Sequence, residues 1–145
     1  MFSVLCRFRG ATLRYFKDSM ADQRKVLVVE DNDFVRMQIV KFLQEEGYEV
    51  VESTDGQDAL DKMNPEISLA IVDVRMEPID GFEFVRSLRG ADIETPVILV
   101  TGDQNPDLLA EAGKWNISAV LMKPVQRDRL VKTVSRTHQS LSRTS

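Results

Sequence analysis

Cysteine is all but missing. Cys6 stands alone, so no internal disulfide can brace the fold, and a reducing cytoplasm is the expected setting. No apolar run approaches the roughly 20 residues that cross a bilayer, so no membrane span is expected. Val4-Leu5-Cys6 is too short for the apolar stretch of a secretion signal. No glycine-rich turn follows the first apolar run of the body, where a nucleotide or flavin phosphate cradle would sit. Glu30-Asp31-Asn32-Asp33 stands there instead. Repeats and low-complexity tracts are lacking as well, and the 145 residues suffice for one well-buried core.

Positive charge is scarce beyond the first segment. The formal net charge is −4, yet residues 1–19 hold Arg7, Arg9, Arg14 and Lys17 against Asp18. That segment carries +3, which leaves −7 for residues 20–145. An acidic body argues against direct binding of nucleic acid. Residues 1–23 are expected to form a disordered extension, since terminal segments of deviating composition are usually untied.

What is present is an alternation of two patterns. Apolar, often β-branched runs occur at Lys25–Val29, Tyr48–Glu52, Ser68–Asp73, Pro96–Val100 and Ser118–Met122 and predict buried strands. Helical patterns lie between and after them. The first runs from an Asp33 N-cap through Glu46, with Val35, Ile39, Phe42 and Leu43 inward and Gly47 as its stop. The second spans Gln57 to Met63 after an Asp55-Gly56 turn, and the third Phe82 to Arg89, closing at Gly90. The fourth opens with Pro106 at its first position and ends at a left-handed Asn116, with Trp115 plugging it against the body. The last places Leu130, Val131, Val134 and Leu141 on one side and His138 in solvent. Strands and helices in strict alternation predict an α/β domain, a doubly wound five-stranded parallel sheet with helices on both faces.

Four of the apolar runs end in a polar group: Glu30-Asp31, Asp73, Thr101 and Lys123. The carboxyl edge of such a sheet is where ligands bind. Clustered carboxylates repel one another unless a cation neutralises them, and oxygen-only ligands suit Mg2+ in an octahedral shell. Lys123 adds a point charge and Thr101 a hydroxyl, which together can compensate a phosphoryl group of charge about −2.

Glu30-Asp31, Asp73, Thr101-Gly102 and Lys123-Pro124, each after an apolar strand, resemble the signature of the receiver domain of two-component response regulators, in its stand-alone, chemotaxis-regulator-like form. The resemblance implies a flavodoxin-like strand order 2-1-3-4-5 and a receiver unit at residues 24–141. It implies that Asp73 accepts a phosphoryl group from a sensor histidine kinase or a histidine phosphotransfer protein. Asp31, Asp73 and the backbone carbonyl of Arg75 would hold Mg2+, with Glu30 acting through the metal's waters. Thr101 would bond the phosphoryl oxygen and Lys123 would pair with its charge. The state would pass to an output protein by surface contact, without conventional enzyme turnover. A phosphate sink or relay intermediate is the alternative role. An aspartate-nucleophile phosphatase fits less well, because such enzymes want a second Asp where Arg75 stands. Gly102 is expected to leave room beside Thr101. Three positions depart from the family pattern: Glu77, with Pro78 one place late; Asn116 in place of Gly; and Val120 in place of the aromatic switch. Without that ring, the loop from Gly102 to Asn105 and the following helix are the expected readout.

Overall fold

A computed structural model describes residues 24–144, with side chains through residue 140. The expected extension at 1–23 and the side chain of Leu141 lie outside the described residues. The elements are β1 (Lys25–Val29), α1 (Asp33–Glu45), β2 (Glu49–Ser53), α2 (Gly56–Lys62), β3 (Ile67–Asp73), α3 (Gly81–Gly90), β4 (Val97–Thr101), α4 (Pro106–Lys114), β5 (Ala119–Met122) and α5 (Arg127–Thr144). The strands form one parallel sheet in the order β2-β1-β3-β4-β5, as expected.

Side chains alternate across a strand, and that alternation sorts the core into two layers. Leu69 and Ile71 of β3 join Val26, Val28, Ile98 and Val100 against Ile39 and Leu43 of α1 and Leu130 and Val134 of α5. Ala70 and Val72 face the other way, with Leu27, Leu99, and Phe84, Val85 and Leu88 of α3. The three inner strands are buried along almost their whole length, which is why they read as continuous apolar runs rather than alternating ones.

The helix ends differ in detail from the expectation. Asn32, not Asp33, caps α1, its side chain accepting from Val35 N at 3.0 Å. Asp33 instead lies in the first turn and pairs with Arg36 at 2.6 Å. An Asn and an Asp in succession are equally able to cap, and the backbone of the preceding strand decides which one is extended. Gly90 is the last residue of α3 rather than its stop, and the left-handed residue beyond it is Asp92, at φ 62°. Gly47 and Asn116 take the left-handed conformation as expected, at φ 91° and 57°.

His138 is buried, not solvated: it is 5% exposed. It lies at the amino end of the sheet, its Nε2 2.9 Å from Ser68 Oγ and its ring centroid 5.5 Å from that of Tyr48. Ser68 Oγ donates to Lys25 O at 2.9 Å. With that proton committed, the neutral imidazole donates its Nε2–H to the serine. The reading of a solvated helix position failed because a long α5 continues over the sheet to its far end, and nothing in the local pattern marks that.

Gly81 opens α3 directly against the strand end that carries Asp73. A Cβ there would lie 2.6 Å from Asp73 O and 3.0 Å from Val74 Cα, both backbone atoms that cannot swing aside. Gly81→Ala should therefore cost about 1–3 kcal/mol, as overpacking does. Urea unfolding checks this, and an unchanged midpoint would mean that α3 moves away freely.

Candidate functional site

The register of the sheet brings the polar strand ends together. Val29 is level with Val72, Asp73 with Val100, and Thr101 with Met122. Glu30, Asp73, Thr101 and Lys123 therefore crowd one edge. Asp73 continues the alternation of Leu69 and Ile71 and points to the α1–α5 side, while Thr101 continues that of Val97 and Leu99 on the opposite side. Glu30, Asp73 and Thr101 are all but closed to solvent, at 1%, 4% and 1% exposure.

Lys123 Nζ bridges the two buried acids, 3.1 Å from Glu30 Oε1 and 3.3 Å from Asp73 Oδ2. Burial works against its charge, but the two carboxylates outweigh burial and hold the ammonium above the ordinary lysine value. Burial raises the Glu30 carboxyl, and the neighbouring Asp73 charge adds to this, against the Asn32 N–H and the lysine that lower it. Glu30 Oε2 accepts from Asn32 N at 3.1 Å. Its Oε1 has the lysine charge close by but no aligned hydrogen bond among the described residues.

Asp31 completes the acidic group on the exposed side. Glu30, Asp31 and Asp73 each offer an oxygen within 4.8 Å of the others. The donor set is oxygen only, and a buried carboxylate oxygen is left without an aligned donor, so the residues fit a hard divalent cation with its waters. The carbonyl of Arg75 lies in the loop after β3, two residues beyond Asp73, and Arg75 N donates to Asp73 Oδ1 at 3.3 Å.

Several residues that act on the site carry no sequence signal. Arg36 of α1 donates to the Glu30 carbonyl at 2.7 Å and pairs with Glu52 at 3.1 Å, which fixes the turn leading into Asp31. Asp103 N donates to Thr101 Oγ1 at 3.0 Å, and Asp103 Oδ2 accepts from Arg75 Nη2 at 2.5 Å. The Arg75–Asp103 contact joins two loops 28 residues apart in the chain. Apart from its two chain neighbours, no atom of the described residues lies within 4 Å of where a Gly102 Cβ would stand, so packing among them does not require glycine there. Val120 is half-buried against the α2–α4 layer, and Trp115 packs on the same layer with Nε1 2.9 Å from Glu111 Oε2.

The sequence model of the response regulator receiver domain matches residues 26–135. The CAI-1 autoinducer sensor kinase/phosphatase CqsS of Vibrio cholerae is 34% identical over 117 residues, which is 78% of this chain but 17% of that protein. The transcriptional regulatory protein PdtaR of Mycobacterium tuberculosis is 33% identical over 77% of this chain and 55% of its own length. This chain thus spans only part of these first relatives. Chemotaxis protein CheY of Treponema pallidum is 29% identical over 77% of the chain and 80% of its own. Among solved structures, the chemotaxis response regulator CheY4 of Vibrio cholerae superposes with a TM-score of 0.72 at 32% identity, covering 79% of this chain and 98% of that one.

Proposed function

The chain belongs to the family of response regulator receiver domains, and on that premise we propose that it is a phosphorylation-dependent signalling protein whose acceptor is Asp73. One observation carries the reading: a nearly buried aspartate stands 3.3 Å from a lysine ammonium, beside two further acids whose oxygens lie within 4.8 Å of it and of each other. As an isolated core feature, that concentration of charge would be costly. As a site awaiting a cation and a phosphoryl group, it is complementary.

In the proposed reaction an Asp73 oxygen attacks the phosphorus of a donor phosphohistidine. The P–O bond forms, the P–N bond breaks, and its electron pair returns to the imidazole. Arg75 N–H orients the carboxylate through Oδ1, and Lys123 meets the charge on the incoming group from the Oδ2 side. Thr101, with its hydroxyl already accepting from Asp103 N, retains a proton to donate to a phosphoryl oxygen. Asp31, Asp73 and the Arg75 carbonyl would hold Mg2+, with Glu30 reached through its water shell. When bound, the metal supplies positive charge to the clustered acids and to the transferring group. The protein's part is mostly positioning, once per signalling cycle.

Receiver domains interact with histidine kinases, and sensor kinases are among the relatives. We take the donor to be a sensor histidine kinase or a histidine phosphotransfer protein, and the receiver unit to be residues 24–141, acting in the cytoplasm. Phe34 and Met37, 71% and 64% exposed on α1 just after Asp31, support an apolar margin for that donor. No helix of the described residues is long and apolar enough to cross a membrane.

The metal assignment is tested by calorimetric titration with Mg2+. Asp31→Ala should weaken affinity at least about tenfold, since loss of supporting groups alone costs that much. Asp61→Ala, on the exposed face of α2 and away from the site, should stay near the wild type. Equal affinities in the two variants would place the metal elsewhere.

A further inference from the structure

The loops after β3 and β4 face each other across the mouth of the site, beside an open depression of about 500 Å³ whose lining includes Asp31, Arg75, Asp103 and Leu108. Arg75 and Asp103 close the gap with an ion pair, the arginine side chain 75% exposed and the aspartate 28%. The pairing holds the Asp103 carboxyl below its usual range, with help from the Asn105 N–H. Such a pair adds little to stability. Its position is what matters.

Resting on the reading of Asp73 as acceptor, we propose that the Arg75–Asp103 pair is a charge latch, in which Asp103 keeps the Arg75 guanidinium from the acceptor until an incoming phosphoryl group draws it away. Arg75 N lies 3.3 Å from Asp73 Oδ1, so the long stem of Arg75 is rooted at the acceptor and can turn to either partner. A dianionic phosphoryl group on Asp73 offers the guanidinium fork two or more oxygens, where Asp103 presents one carboxylate of charge −1. The same group repels Asp103. The loop that carries Asp103 is also tied to Thr101, whose Oγ1 accepts from Asp103 N, so both its tethers end on residues that a phosphoryl group attracts. Release of the latch frees the segment just ahead of α4. The state is thus carried to the surface without an aromatic ring at Val120.

Phosphoryl uptake from acetyl phosphate with Mg2+ tests the latch through the sign of two effects. Asp103→Asn sets the guanidinium free and removes a repelling charge, so uptake should be about two- to fivefold faster, the scale of an exposed ion pair. Arg75→Ala leaves Asp103 beside the acceptor without its cation, and uptake should slow by about the same factor. Asp103→Glu should restore the wild-type rate. Beryllofluoride should shift the Arg75 Nε–H and Asp103 amide resonances of the wild type and should still shift the Arg75 Nε–H in Asp103→Asn, where the guanidinium is free to reach the mimic; an Arg75 Nε–H unmoved in the wild type would overturn the latch. Faster uptake in both variants would make the pair a steric plug and overturn the latch. So would unchanged rates while the wild type is labelled at Asp73. A wild type that takes up no phosphoryl group overturns the acceptor reading and the latch with it.

Discussion

Asp73→Asn should abolish phosphoryl uptake. With acetyl phosphate and Mg2+, the wild-type chain is expected to gain one phosphoryl group at Asp73, read by mass, and the Asn variant none above background. The change is nearly isosteric, so the shape of the site persists. An amide oxygen, however, is a poor nucleophile, and the charge that Lys123 faces at 3.3 Å is gone. The wild-type label should be lost to hydroxylamine, as an acyl phosphate is and a phosphoserine is not. The variant should also unfold at no lower urea concentration than the wild type, because one of three crowded acids has been neutralised. Undiminished or hydroxylamine-resistant label in the variant would move the acceptor to another side chain.

His138 should cost the fold stability as pH falls from 6.5 towards 4. Burial, with a smaller contribution from the Arg24 charge, lowers its pKa from 6.5 to about 4. Above the unfolded value the ring is neutral in both states and contributes nothing to the pH dependence. As pH falls from 6.5 towards 4, the unfolded chain takes up a proton that the folded chain refuses, so stability declines across that window and levels off below it. The full loss is about 3 kcal/mol, of which about 2 kcal/mol is reached by pH 5. Between pH 7 and pH 5 urea unfolding should show the wild type losing about 2 kcal/mol relative to His138→Gln, since the opposing contribution of the raised Glu30 carboxyl and those of the other titrating groups are shared by both proteins. The same pH dependence in both proteins would mean that the ring protonates in place beside Ser68 and Tyr48.

The sequence alone determined the alternation of strands and helices, the buried character of β1, β3 and β4, and the clustering of acids, a hydroxyl and a lysine at strand ends. Each of these is local: an apolar run and its terminus are written in consecutive residues, and parallel crossovers bring every carboxyl end to one edge. Cap choice at Asn32 over Asp33 was beyond it, since neighbouring residues of equal capping ability are separated only by the path of the chain. So was the burial of His138, which depends on where α5 crosses a serine 70 residues earlier in the chain. Lys123 lying between Glu30 and Asp73, Arg36 holding the Glu30 carbonyl, and Arg75 reaching Asp103 across 28 residues were likewise decided by tertiary structure. Long charged side chains have no periodicity to betray their partners. Only the register of the sheet and the approach of its loops bring those partners within reach.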